Sequence, residues 1–421
     1  MSNASAKKSS SFKMSLTNQI LIATIGGIAF GSLVGPWAGN IKFIGDIFIR
    51  LIQMSVVLLV MTSVAAAIGN VDGKSAGRMG FHTFKWIIIM TTFASLLGLA
   101  LALIIQPGVG IDITNGAVAA EPIQASVKET ILGFFTTNII SSMASGAMIP
   151  SIIFALLFGM GMGTYTRNSG NTVVKEFIVG FNAVIMEIIK MVMKLAPIGI
   201  FALLSAVSGT TGFKVIIPML KFLGALAIGD VIQLMVFGPM TGLLTKTNPF
   251  KMPKKFAKIA ILAATTTSSA IVLPTKMEDS VTKFGVSHRV ADFTGPITMS
   301  MNANGAAMCY VIAIFFISQA TGVVLAPLQM GLAIVLSIMM CMGTIVVPGG
   351  MVIVYTFLAS SLGLPLEAVA ILIGIDWFSG VFRTVLNNTN DVMIAMLVAD
   401  KLGELDRDVY NETKTVEYLT A

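Results

Sequence analysis

Residues 374–397 read GIDWFSGVFRTVLNNTNDVMIAML, an apolar stretch that nevertheless holds Asp376, Arg383 and Asp391, with Asn387 between the last two. At ~100° per residue, positions 376, 380, 383, 387 and 391 share a helical stripe about 80° wide. A charge at mid-bilayer costs at least about 3 kcal/mol on insertion scales, and intramembrane ionisable residues face a bundle interior or a solute path. Three on one face predict a transport site.

The surrounding composition says that the solvent is lipid. Apolar residues fill 55% of the 421 positions and charged residues only 11%, against about 25% charged in soluble domains. The net charge of +7 comes from Lys and Arg in connections, so it reads as topology and lipid contact. No basic run interleaved with aromatics points to nucleic acid. Cys309 and Cys341 lie in separate apolar stretches without metal-ligand or CxxC spacing, as buried free thiols do. No nucleophile–base pair, metal cluster or nucleotide loop supports an enzyme.

Residues 1–15 form a polar, basic tail, expected to be cytoplasmic. The apolar stretch from Leu16 to Ala38 exceeds the ~7–15 residues of a signal-peptide core and reads as a first membrane helix. Further apolar segments run at about 41–69, 84–106, 130–166, 173–207, 213–243, 288–318 and 364–399. Two others are interrupted: 256–282 by the polar tip TTTSSA (Thr265 to Ala270), and 326–362 by GTIVVPGG (Gly343 to Gly350). Each arm falls short of, or barely reaches, the ~20 residues a span needs. The expected fold is therefore an all-α membrane protein of eight transmembrane helices plus two re-entrant helical hairpins.

With the first helix running outward, Lys74, Arg78, Lys85, Lys246, Lys251, Lys254, Lys255 and Lys258 fall inside. The connection at about 107–127 has acidic residues but no Lys or Arg, and falls outside; the positive-inside rule is met. The hairpin followed by a helix bearing Asn302 and Asn304 is echoed by a second hairpin and a helix bearing Asn387 and Asp391. The two units have opposite topology, and inverted repeats with interrupted helices meeting at mid-membrane mark secondary transporters. The acidic tail from Glu404 is expected to be mobile.

These residues carry a resemblance. FIRLIQM (48–54), APIGIFAL (196–203), the serine-containing first tip, MNANG (301–305) in place of an NMDG motif, the GT…PGG second tip and GID…RTVLNNTND (374–391) are similar to landmarks of the sodium:dicarboxylate symporter family, over about Leu16 to Lys401. The resemblance implies a glutamate-transporter-like homotrimer in the plasma membrane, both termini cytoplasmic. It divides the single unit of residues 16–403 into scaffold helices (about 16–69 and 128–207) and a mobile transport domain (about 80–107 and 213–403), followed by a cytoplasmic tail at 404–421.

Asp391, Asn302 and Asn387 offer a carboxylate and two amide carbonyls from two broken helices, the oxygen donors a hard cation prefers, and their positions match a family sodium site. Mutual satisfaction of these groups within a bundle is the alternative. The resemblance adds Thr298 and Ser300, and places a second site at Thr344 and backbone carbonyls of the second tip. Arg383 has the planar fork for a carboxylate and matches a family substrate ligand; an ion pair with Asp376 or Asp391 is the alternative. Ser268 and Ser269 match contacts to the substrate's other carboxylate. Ala306, Val347, Gly349, Gly380, Thr384 and Asn387 complete the implied substrate set.

Four departures from the acidic amino-acid carriers bear on specificity. Gly380 stands where those carriers have the aspartate that receives the substrate's ammonium. Ala306 replaces a small hydroxyl residue, and Met351 a common glycine. Asn304 replaces the motif's aspartate, while Ile87 and Met90 stand where Tyr and Thr oxygens are offered. Only Thr91 and Asn304 remain for a third cation site. The expected function is sodium-coupled symport of a C4-dicarboxylate or acidic amino acid by elevator-like movement, with no cofactor besides sodium as coupling ion. A neutral amino-acid or proton-coupled carrier of the same fold, and an anion channel, are the other readings.

Overall fold

The computed structural model describes residues 14, 16–69, 77–111, 132, 135–145, 147–341 and 351–418. Among them there is no β-strand, only an isolated bridge between Val286 and Leu405. The first half comprises α1 (Leu16–Val34), a 3-10 turn (Gly35–Ile41), α2 (Lys42–Gly69), α3 (Gly77–Ile105), α4 (Ile139–Ala144), α5 (Met148–Ser169), α6 (Val173–Met193) and α7 (Ala196–Thr211). The second comprises α8 (Ile216–Thr245), α9 (Met252–Thr266), α10 (Ser269–Thr282), α11 (His288–Met301), α12 (Asn304–Thr321), α13 (Pro327–Cys341), α14 (Met351–Ser361), α15 (Val369–Gly374), α16 (Asp376–Leu402) and α17 (Arg407–Asn411). Four stretches, Asn18–Ala66, Gly77–Ile105, Ala196–Thr245 and His288–Thr321, are long and apolar enough to cross a membrane.

The helix breaks have local causes. The first hairpin turns where Thr267 takes a left-handed conformation (φ +48°) and Ser268 an extended one, which ends one helix and restarts the next. Its arms of 15 and 14 residues pack on each other and are shorter than a membrane span. The arms of the second hairpin, α13 and α14, are likewise short, with 15 and 11 residues; its tip, 342–350, lies outside the described residues. The expected 288–318 segment splits at Asn302 and Ala303, both non-helical. The last segment, expected over about 364–399, is also broken. It breaks at Ile375, and α16 runs unbroken from Asp376 to Leu402, with Asp376 in the first turn, where the helix dipole favours a carboxylate.

Two groups of helices pack mainly among themselves. α1, α2, α5, α6 and α7 form one, in which a Cβ on Gly31 of α1 would lie 2.2 Å from the Ser205 carbonyl oxygen of α7. α3, α8 to α13 and α16 form the other. Within it, Asn304 to Ser318 of α12 and Leu386 to Ala399 of α16 are buried without interruption. Helices buried on every side hold their polar residues away from both water and lipid, so those residues must find partners inside.

The acidic tail is packed rather than free. Glu404 accepts hydrogen bonds from Ser287 and Arg289, and Glu412 pairs with Lys255 at 3.0 Å. Tyr410 is fully buried beside Phe284 and donates to the Asn248 carbonyl at 2.6 Å. One buried aromatic anchor with ion pairs on either side explains why an acidic composition did not produce a loose end.

Candidate functional site

α16 brings the site together, because its polar residues meet the first hairpin on one side and the α11–α12 break on another. Gly305 of the MNANG motif donates its backbone N–H to the Asn387 side-chain carbonyl at 2.8 Å. This close approach ties the break to α16. Asn302 donates to Asp391 Oδ1 at 2.7 Å. Asn388, which the sequence reading passed over, donates to Ser269 Oγ at 3.1 Å and to the Thr384 carbonyl at 2.9 Å. The hairpin tip is thereby joined to α16.

Arg383 is 8% exposed. Its Nη2 donates to Asp376 Oδ1 at 2.7 Å, while Nε has no hydrogen-bond partner. Ser379 also donates to the Asp376 carbonyl. Of the two carboxylates weighed for an ion pair, Asp376 is therefore the one engaged. A Cβ added at Gly380 would lie 3.4 Å from Arg383 Nη2 and 3.6 Å from the Thr267 side chain. Gly380, the hairpin tip and the guanidinium thus share one small space. Thr267 lies nearer to it than the sequence reading assigned; Ser268 is half-buried and Ser269 buried.

Asp391 has a partner that the sequence reading missed. Lys276, on α10, is 2% exposed and places Nζ 2.5 Å from Asp391 Oδ2, with the Gly295 carbonyl at 3.4 Å. The signal was present: Lys276 is the sole charged residue between Lys258 and Glu278. A charge this deep in the apolar part of an arm requires a buried counter-charge. Removing one member of such a pair costs about 3–5 kcal/mol, because the other is left uncompensated.

The remaining expected residues are placed as follows. Thr91 donates to Asn304 Oδ1 at 2.8 Å, with Ile87 and Met90 buried beside them. Thr298 is buried and bonds back to the Thr294 carbonyl, whereas Ser300 is exposed and bonds to Pro296. Ala306 and Thr384 are buried. Thr344, Val347 and Gly349 lie outside the described residues. Cys309 and Cys341 are free and buried, Cys309 beside the Tyr355 hydroxyl at 3.2 Å. Glu187 and Lys190 form an exposed pair. Asp230 and Asn390, both buried with side-chain atoms lacking partners, carried no sequence signal beyond being polar in apolar runs.

The sequence profile of the sodium:dicarboxylate symporter family matches residues 16–401. The chain belongs to the sodium:dicarboxylate symporter family. This is a family of transporters and not of enzymes, and with its membrane-length apolar stretches the chain is an integral membrane protein. It is similar to a proton/glutamate-aspartate symporter of Bacillus subtilis (32% identical, covering 90% of this chain and 93% of the relative). A proton/sodium-glutamate symport protein of the same organism is 30% identical over 97% of this chain and 98% of its own length. A C4-dicarboxylate transport protein of Burkholderia ambifaria is 29% identical, covering 93% and 92%. The names of these relatives thus divide between acidic amino acids and dicarboxylates.

Proposed function

We propose that this chain is a secondary active symporter of a small solute bearing at least one carboxylate, a C4-dicarboxylate or an acidic amino acid. The observation that carries the reading is Arg383. It is a buried guanidinium with one face held by Asp376 and an unpaired Nε, beside a hairpin tip. A carboxylate can take up donors that are otherwise unsatisfied, and a buried donor left unpaired costs about 1–3 kcal/mol. The names of the relatives, glutamate, aspartate and C4-dicarboxylate carriers, agree with that chemistry.

Gly380 inclines the substrate towards dicarboxylates. Without a carboxylate there, an ammonium entering the site is desolvated beside a guanidinium, which is unfavourable. Succinate or malate should compete with any transported acidic amino acid. Gly380→Asp should shift preference towards L-aspartate, since a Cβ at Gly380 meets only ordinary van der Waals contacts. Competition in proteoliposome uptake tests both; strict selectivity of the parent for L-aspartate or L-glutamate over succinate would refute the dicarboxylate leaning.

The separate packing of the two helix groups supports elevator-like movement of α3, α8 to α13 and α16 against a scaffold; a plasma-membrane homotrimer is proposed from the family resemblance alone. Sodium is proposed as a coupling ion; of the two sites expected for it, the one at Thr344 and the second hairpin tip lies outside the described residues. At the third-site patch, the Asn304 carbonyl oxygen already accepts the Thr91 hydroxyl and Ile87 and Met90 offer no side-chain oxygen. Reversal potentials at fixed gradients should accordingly give fewer than three cations per substrate. A value of three would mean that other groups supply the missing oxygens.

A further inference from the structure

We propose that Lys276 is a tethered replacement for a coupling cation: its ammonium takes the place beside Asp391 where a sodium ion was expected, so Asp391 is not a sodium ligand in this protein. Three expected sodium ligands are present, yet the oxygens of two of them, Asp391 and Asn387, are engaged by N–H donors. Asp391 Oδ2 faces Lys276 Nζ at 2.5 Å and its Oδ1 accepts from Asn302 at 2.7 Å. Asn302 thus presents its N–H to the carboxylate, while its own carbonyl oxygen has no partner. The carbonyl oxygen of Asn387 accepts the Gly305 N–H. A sodium ion requires oxygens converging on one point; here two N–H donors converge on a carboxylate, the arrangement suited to an ammonium.

An ammonium is a compact point charge with three donors, and two acceptors face it: Asp391 and the Gly295 carbonyl. The pair joins three elements, since Lys276 lies on α10, Gly295 on α11 and Asp391 on α16. A bound ion would hold the same elements together only while bound. The lysine holds them permanently.

The consequence for coupling rests on the symporter reading above. A sodium ion at Asp391 would leave on the far side, and the empty carrier would return without it. A tethered ammonium returns with the protein, so this position moves no ion and draws no energy from a sodium gradient. Any coupling ion must be carried elsewhere in the molecule.

The test uses sodium alone, without substrate, and is therefore independent of the transport reading. Thermal unfolding of the purified full chain is followed while choline chloride is replaced by NaCl at constant ionic strength. It is compared for the parent, Lys276→Gln, and the neutral pair Lys276→Gln with Asp391→Asn. Ligands that bind only the folded state raise its stability in proportion to the logarithm of their concentration. The neutral pair should respond to sodium as the parent does, because Asp391 contributes no sodium site in either. Lys276→Gln should gain a new response, several degrees of stabilisation, that Asp391→Asn removes. A parent response that disappears in the neutral pair would overturn the proposal. So would a folded Lys276→Gln with no added response. Should Lys276→Gln fail to fold, the parent and the neutral pair decide between the two outcomes.

Discussion

Arg383→Ala is expected to abolish high-affinity carboxylate binding. Loss of a buried charged hydrogen-bond donor costs about 2–5 kcal/mol, a weakening of roughly 30-fold to several thousand-fold. The Asp376 pair complicates the single variant, because its carboxylate would be left buried without the guanidinium. Destabilisation of about 3–5 kcal/mol should follow. Adding Asp376→Asn removes that stranded charge. If Arg383 is a substrate ligand, the double variant recovers thermal stability but not binding, as measured by calorimetry with succinate and L-aspartate. If binding returns with stability, Arg383 serves the fold and another group recognises the carboxylate.

Gly305→Ala is also expected to be damaging, although it changes no charge. A Cβ there would lie 2.7 Å from both the α-carbon and the carbonyl oxygen of Arg383, and backbone cannot swing aside as a side chain does. The α11–α12 break and α16 would have to separate, breaking the Gly305 N–H bond to Asn387 and moving Arg383 away from the hairpin tip. Overpacking of this kind costs about 1–3 kcal/mol or more. Substrate affinity should fall at least tenfold even at temperatures where the variant is folded. Gly305→Ala with parent-like melting and binding would show that the helices are not in such close contact.

Legibility in the sequence followed physical range. The helices, the first hairpin and the α11–α12 break follow from local rules: apolar length, a polar tip, and the Asn pair of MNANG. The α16 stripe was equally readable, since Gly380, Arg383, Asn387 and Asp391 are one helical face. Partners between distant segments were not readable. Lys276 and Asp391 are 115 residues apart, and only the fold shows that the lysine of one arm meets the acid of another helix. The same holds for Asn388 with Ser269. Arg383 with Asp376 was open because both Asp376 and Asp391 share its face; the start of α16 at Asp376 allows its carboxylate to curl back to Nη2. The tail misled because composition registers its acidity but not the buried Tyr410.

The central claim, gradient-driven carriage of a small carboxylate, is tested most directly by uptake of labelled succinate into proteoliposomes containing the purified full chain. Inward sodium and proton gradients are imposed separately and together. The account predicts internal succinate above the external concentration, accumulation that collapses when the driving gradient is dissipated, and its loss in Arg383→Ala with Asp376→Asn. Succinate or glutamate that only equilibrates across the membrane, at a rate indifferent to every imposed cation gradient, would contradict it and favour a channel.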